Sequence, residues 1–171
     1  MTDLPTRPLS GATAEFRALM TQFPTGVAIV TTTDEAGRPW GMTCSSLCSV
    51  TLSPPTLLVC LRAGSPTLAA MLDRTTFTVN LVHDNAQAVA ELFASGDPDR
   101  FDAVAWDLSP DAAGPHLWRD AHAIADCRIT RREVVGDHIV VFGETYRVSM
   151  RTEGRSPLLY GRRQFHPWPG V

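Results

Sequence analysis

The stretch Gly41–Pro55, GMTCSSLCSVTLSPP, constrains the fold more than any other segment of this chain. Extended, it puts Met42, Cys44, Ser46, Cys48, Val50 and Leu52 on one side and Thr43, Ser45, Leu47, Ser49 and Thr51 on the other. Successive side chains of a strand face opposite sides of a sheet, so one face is apolar and sulfur-bearing while the other is rich in hydroxyls. Pro54 and Pro55 stop the run. A helix would mix the two sets, so a half-buried strand is the reading.

The rest of the chain repeats this grammar. VAIVTTT from Val27 and the turn-rich DEAGRPWG precede the stretch and pair with it as a hairpin. TLLVCL, Thr56 to Leu61, is a continuous apolar run suited to a strand buried on both faces. FTVNLV (77–82), ADCRITRREVV, HIVVFGETYRVSM and PLLY supply further strands, the middle two joined at a Gly136-Asp137 turn. Arg128 and Arg132 fall on the solvent face of their strand. Helical spacing appears at Thr13 to Phe23, with Phe16, Leu19, Met20 and Phe23 in one stripe, and again at Asn85 to Ala94. In RAGSPTLAAML, Ser65 is an N-cap and Pro66 the first helical residue. Gly96 to Gly114 reads as a polar surface excursion. Six or seven strands with two or three short helices predict a mainly β chain, an antiparallel barrel rather than βαβ units.

At 171 residues this is one domain, with residues 1–12 and 168–171 as tails around a body spanning 13–167. An apolar fraction of 44% and a net charge of −3 describe a soluble globular chain and argue against a nucleic-acid binder. With no signal core and no run long enough to span a bilayer, the cytoplasm is the expected location and no membrane partner is expected. Cys44, Cys48, Cys60 and Cys127 have no C-x-x-C spacing and read as small buried hydrophobes. The histidines, 83, 116, 122, 138 and 166, have no metal-ligand spacing, so no metal is expected.

All fifteen basic residues are arginine. The absence of lysine excludes a Schiff-base lysine, a pyridoxal-phosphate attachment and a P-loop. Bound anions must be held by guanidinium groups, hydroxyls, backbone N–H groups or helix N-termini. No Rossmann fingerprint, G-x-S-x-G or H-E-x-x-H is present. What remains is the hydroxyl row, the helix start at Ser65 and Thr67, Asn80 in its strand, and His138 after its turn. Taken singly, Ser65 can be only a cap, His138 only a turn residue, and the strand hydroxyls only solvated.

Taken together and in order, FPTGVAIVTT, GMTCSSLCSVTLSPPTLLVCL, SPTLAAM, FTVNLV, Asp99-Arg100-Phe101 and GDHIVVFGE resemble the flavin reductase-like family, the small reductase components of two-component flavin-dependent monooxygenases. The resemblance covers about residues 14 to 165. It implies a Greek-key split β-barrel homodimer that binds FMN or FAD near the subunit interface, reduces it with NADH or NADPH, and supplies it to a separate oxygenase. By that pattern Thr43, Ser45 and Ser46 contact ribityl and ring, Cys60 and Leu61 add backbone, and Arg62, Ser65 and Thr67 hold the phosphate. Asn80 and Phe101 lie near the flavin, His138 supports the incoming nicotinamide as the catalytic residue, and Tyr160 and Arg163 face the nicotinamide or the interface. Thr43 and Ser45 share a face that excludes Ser46, so a bend or bulge between them is expected. Leu47 and Cys48 depart from the family's aromatic and small polar residues. A split barrel that holds flavin or heme without turning over nicotinamide remains the alternative.

Overall fold

The computed structural model describes residues 12–151 and 155–169. Residues 1–11, 152–154 and 170–171, which include nearly all of the expected N-terminal tail and half of the C-terminal one, lie outside the described part. The element order is α1 (Ala12–Thr21), β1 (Thr25–Gly26), β2 (Ala28–Thr33), β3 (Pro39–Cys44), β4 (Leu47–Leu52), β5 (Pro55–Arg62), α2 (Pro66–Arg74), β6 (Thr76–Val82), a short 3-10 turn, α3 (Gln87–Ser95), β7 (Ala121–Val135), β8 (His138–Met150), β9 (Leu158–Gly161) and β10 (Gln164–Pro167). Every strand pair is antiparallel. Seven strands form one sheet in the order β3-β2-β6-β7-β8-β5-β4, and three form a second in the order β1-β9-β10.

β3 and β4 are the two edges of the large sheet, yet only Ser45 and Ser46 join them. Three residue steps cover at most about 11 Å, whereas seven flat strands would set the edges roughly 29 Å apart. The sheet must therefore curl until its edges nearly meet. No ladder joins β3 to β4 among the described residues; the covalent link, the two Ser46–Cys60 bonds and the apolar core inside the curl hold the edges together instead. The long strand expected from Gly41 onward is thus two strands, bent at Ser45-Ser46 and separated across the curl.

The bend also overturns the expectation for the distal half. On β4 the apolar set turns outward: Leu52 is 89% exposed, Val50 is exposed, and Cys48 is not the buried hydrophobe anticipated. Cys44 and Cys127 are buried and Cys60 is half-buried. β5 is less enclosed than a strand covered on both faces, because only Val59 and Leu61 are fully buried on it. β2 takes that role instead, buried along its whole length.

Two cores result, and β2 divides them with period two. Ala28 and Val30 point into the curl with Val59, Leu61, Met71, Phe77 and Val141. Val27 and Ile29 point outward to Phe93, Phe101, Leu117 and Leu158. The segment 96–120 is not the polar surface excursion expected. Phe101 packs edge-on to Phe93 at 5.0 Å and to Trp106 at 5.8 Å, and His116 is 2% exposed. The residue that secures this segment is Asp126, 1% exposed on β7. Its carboxylate accepts from Thr78 Oγ1 (2.6 Å), the Ala113 N–H (3.0 Å) and Arg147 Nε (2.6 Å), and lies 2.9 Å from His116 Nε2. Burial opposes ionisation, but these donors outweigh it and hold the Asp126 pKa at about 2.

Among the described residues no helix is long and apolar enough to cross a membrane. The β7–β8 hairpin turns at Gly136-Asp137 as expected, with Gly136 at φ 59°. Arg128 and Arg132 are solvent-exposed, as anticipated.

Candidate functional site

The site is built along β3, where an edge strand leaves one side of its backbone without a partner. At the start of the trough stands α2. Ser65 has extended backbone (φ −73°, ψ 127°), and its Oγ accepts from the Leu68 N–H at 3.4 Å while Pro66 opens the helix. Arg100 faces this helix start, its Nη1 donating to the Gly41 carbonyl at 2.8 Å and its Nε to the Asp97 carbonyl at 2.5 Å. Partial burial lowers the pKa of its guanidinium, which remains a cation at neutral pH. Ser65, Thr67, Arg100, Met42 and Thr43 wall a groove of about 290 Å³.

Thr43 also borders a second groove, of about 430 Å³, together with Ser45, Ala94, Tyr160 and Phe165. Ser45 and Tyr160 in turn border a third, of about 570 Å³, with Ser46, Leu47, Cys48 and the C-terminal end of α1. Thr43 and Ala94 are common to the first two grooves and Ser45 and Tyr160 to the last two, so the three adjoin in a trough-like series from a helix N-terminus past a row of hydroxyls to a wider apolar-floored mouth. Thr43 Oγ1 donates to the Ala90 carbonyl at 2.6 Å, which leaves its lone pairs as acceptors. Ser46 Oγ donates to the Cys60 carbonyl (2.9 Å), accepts from the Cys60 N–H (3.3 Å) and lies 3.3 Å from Cys44 Sγ. Burial pushes the Cys44 thiol pKa up, with the Ser46 hydroxyl opposing, so Cys44 is a neutral thiol beneath the bend.

The structure thus gathers Thr43, Ser45, Ser46, Ser65, Thr67 and Tyr160, and leaves other expected residues elsewhere. Asn80 is fully buried: its amide donates to Ile29 O, Thr31 Oγ1 and Pro115 O, and its Oδ1 accepts from the Leu117 N–H. With both its amide nitrogen and its oxygen hydrogen-bonded to protein groups, Asn80 ties the 113–117 segment to β2 and lines none of the three grooves. Phe101 is 7% exposed and belongs to the outer core, behind the trough wall. Leu61 is buried, and because Cys60 turns its N–H and C=O to Ser46, the alternation of an antiparallel strand turns those of Leu61 to β8. Its expected backbone contact is therefore not available.

Arg62 and His138 are cross-strand neighbours at the ends of β5 and β8. They border none of the three grooves. The Ser65 N–H donates to the Arg62 carbonyl at 3.0 Å, which places this pair on the rim just ahead of α2. His138 Nδ1 lies 2.8 Å from Asp137 Oδ1. That hydrogen bond, the His138 charge and more weakly the Arg62 charge lower the Asp137 pKa. Arg100 is the site residue that sequence reasoning missed. Its signal was present in Asp99-Arg100-Phe101, but only the packing reveals that the arginine faces the groove and the phenylalanine the core.

Fold and trough together define an antiparallel β protein with an elongated, hydroxyl-lined site that has an anion-seeking pole at one end. The family profile described as a flavin reductase like domain matches residues 20–169. The chain belongs to the flavin reductase-like family. It is 51% identical over 155 residues to a flavin reductase (NADPH) of Lentzea aerocolonigenes, covering 91% of this chain and 89% of that one. It is 40% identical over 154 residues to a flavin reductase (NADH) of Kitasatospora aureofaciens, covering 90% and 81%. The crystal structure of a nitrilotriacetate monooxygenase component B homolog from Mycobacterium thermoresistibile superimposes with a TM-score of 0.85 at 35% identity, covering 91% of this chain and 86% of that one.

Proposed function

We propose that the chain is an NAD(P)H:flavin oxidoreductase that reduces FMN or FAD and supplies the reduced flavin to a separate monooxygenase component. The observation that carries this reading is the series of adjoining grooves from the α2 N-terminus past β3 to the start of β4. Its polar and apolar walls match a flavin in sequence: phosphate at the α2 N-terminus and Arg100, ribityl chain beside Thr43 and Ser45, ring system at Ser45, Ser46 and Leu47. When bound, the flavin supplies the hydride-accepting centre, and NADH or NADPH supplies the hydride. Thr67 and Arg100 hold the anionic end. Thr43 and Ser45 orient the chain between. Ser46, fixed by two bonds to Cys60, presents the ring edge with its remaining acceptor lone pair, which costs no reorganisation. Hydride transfer needs no general base, so the rate comes from holding the two rings at a near-attack distance of roughly 3 to 3.5 Å.

Arg62, on the rim beside α2, keeps its proposed role toward the flavin phosphate, and His138 next to it keeps its proposed role as electrostatic support for the incoming nicotinamide. The curled sheet with unladdered edges supports the split-barrel, Greek-key reading. A homodimer and a cytoplasmic location complete the proposal. Relatives that include a monooxygenase component B homolog support delivery to an oxygenase.

The test is absorbance at 340 nm with each pairing of FMN or FAD with NADH or NADPH. Flavin-dependent oxidation, together with quenching of flavin fluorescence on binding, is expected. Binding without oxidation in all four pairings refutes the reductase and leaves the binding-only alternative. Thr43→Val/Ser45→Ala should weaken flavin binding without unfolding the chain.

A further inference from the structure

The third groove carries a feature that hydride transfer to a flavin does not require. Arg17 of α1 and Arg162 and Arg163 of the β9–β10 turn line both the 570 Å³ groove and an adjoining one of about 880 Å³. Among the described residues that wall the two grooves none is acidic, in a chain whose net charge is −3. None of the three arginines has a carboxylate partner within 4 Å among the described residues.

The backbone makes this arrangement costly. Gly161 pairs with Gln164, so Arg162 and Arg163 are the two central residues of a two-residue hairpin loop, with φ 52° and 62°. Positive φ at both positions is the type I′ pattern, which Asn-Gly satisfies without strain. A non-glycine residue is disfavoured at each of these positions, because its Cβ crowds the following carbonyl oxygen. Solvated surface charge could sit on any exposed position, so strained placement of two guanidinium groups beside a groove argues for a ligand. The C-terminal dipole of α1 does not account for them either. The Arg162 N–H already caps the Thr21 carbonyl at 2.8 Å, and three full charges exceed the half-charge of a helix end. Arg162 Nε donates to Gln22 Oε1 at 3.2 Å, which orients that side chain.

We infer that Arg17, Arg162 and Arg163 form a subsite for the 2′-phosphate of NADPH and so give this chain a preference for NADPH over NADH. The inference rests on the reductase reading above. The cluster adjoins the mouth of the trough where Ser46 and Tyr160 stand, at the opposite end from the α2 pole, and is therefore available to the reductant rather than to the flavin phosphate. A phosphomonoester carries about −1.5 to −2 charge at pH 7 and three acceptor oxygens. Several convergent guanidinium groups are the donor set suited to it, and with no lysine in the chain, arginine is the residue for the task.

The test compares kcat/KM for NADPH and NADH in the wild type, in Arg162→Asn/Arg163→Gly and in Arg17→Ala. The double variant removes both charges and leaves the turn in its favoured sequence, so the hairpin should be at least as stable. Arg17→Ala tests the cluster from outside the turn. The wild-type ratio of NADPH to NADH is expected to be at least ten and to fall at least tenfold in both variants. Calorimetry with adenosine 2′,5′-bisphosphate should show the same loss, with 5′-AMP unaffected. A wild-type ratio near one, a ratio unmoved by the substitutions, or equal loss with both reductants overturns the subsite. A chain that oxidises neither reductant refutes the reductase reading instead, and the calorimetric comparison still decides the subsite.

Discussion

Two buried polar side chains, Asp126 and Asn80, show how individual residues fix the segment that backs the trough. Asp126 gathers four donors in a dry site, so Asp126→Asn leaves Arg147 and His116 facing a poorer acceptor. A loss of about 3–5 kcal/mol is expected from breaking one side of a buried charge pair, read as a lower urea midpoint. The pH dependence has a definite sign. The folded pKa of about 2 lies below the unfolded value of about 3.9, so the stabilisation is complete above about pH 4 and is lost as the pH falls toward 2. The wild type should lose stability through that window, and Asp126→Asn should lose less there; equal acid profiles would contradict the assignment. Arg100 belongs to the same scale but acts on ligand. Arg100→Ala should raise the KM for FMN roughly tenfold, the worth of one charged hydrogen bond, and should hardly change the KM for riboflavin, which lacks the phosphate. Equal effects on both would assign Arg100 to holding Gly41 rather than phosphate.

At the scale of elements, close approach between strands decides what the sequence pattern leaves open. The Phe77 ring on β6 reaches across β7 onto Gly143 of β8, where a Cβ would stand 2.5 Å from Cζ. Phe77 is fully buried and Cys127 Cβ crowds the same point at 3.0 Å, so the ring has nowhere to retreat. Gly143→Ala should cost roughly 1–3 kcal/mol through overpacking, seen as a depressed Tm, and pairing it with Phe77→Leu should recover part of the loss. Helix α2 was legible from Ser65-Pro66 because capping chemistry is local. The hairpins around residues 34–38 and 136–137 were legible for the same reason. The packed 96–120 segment was not, because the partners of its polar groups, Asp126 and Asn80, lie 10 to 37 positions away.

For the whole molecule, the exposed apolar side chains are the feature that a single chain leaves unexplained. Phe16 and Leu19 on α1, Leu52 on β4, Val134 near the tip of the long hairpin and Val148 and Met150 near its base are all exposed; Met20 and Phe23 stand apart from these because they line the 570 Å³ groove. Scattered exposed apolar residues are ordinary, but neighbouring ones such as Val148 and Met150, or Phe16 and Leu19, mark contact surfaces. The proposed homodimer would cover them. Light scattering should give twice the 18.6 kDa chain mass, and Val148→Asp/Met150→Asp should shift the chain toward monomer. A wild-type monomer at micromolar concentration would rule the dimer out.

What the sequence by itself determined was local: strand alternation, caps, turns, the lack of lysine, and the hydroxyls at 43, 45 and 46 together with Ser65 and Thr67. These follow from backbone geometry and side-chain chemistry within a few residues, so one chain segment suffices to read them. The tertiary structure alone decided which of two apolar faces found a core, that Arg100 rather than Phe101 meets the groove, that Asn80 ties the 113–117 segment to β2, and that His138 stands at the rim. Each depends on how far the sheet curls before its edges meet at Ser45-Ser46, and curl is set by the summed twist and packing of seven strands, which no single stretch encodes.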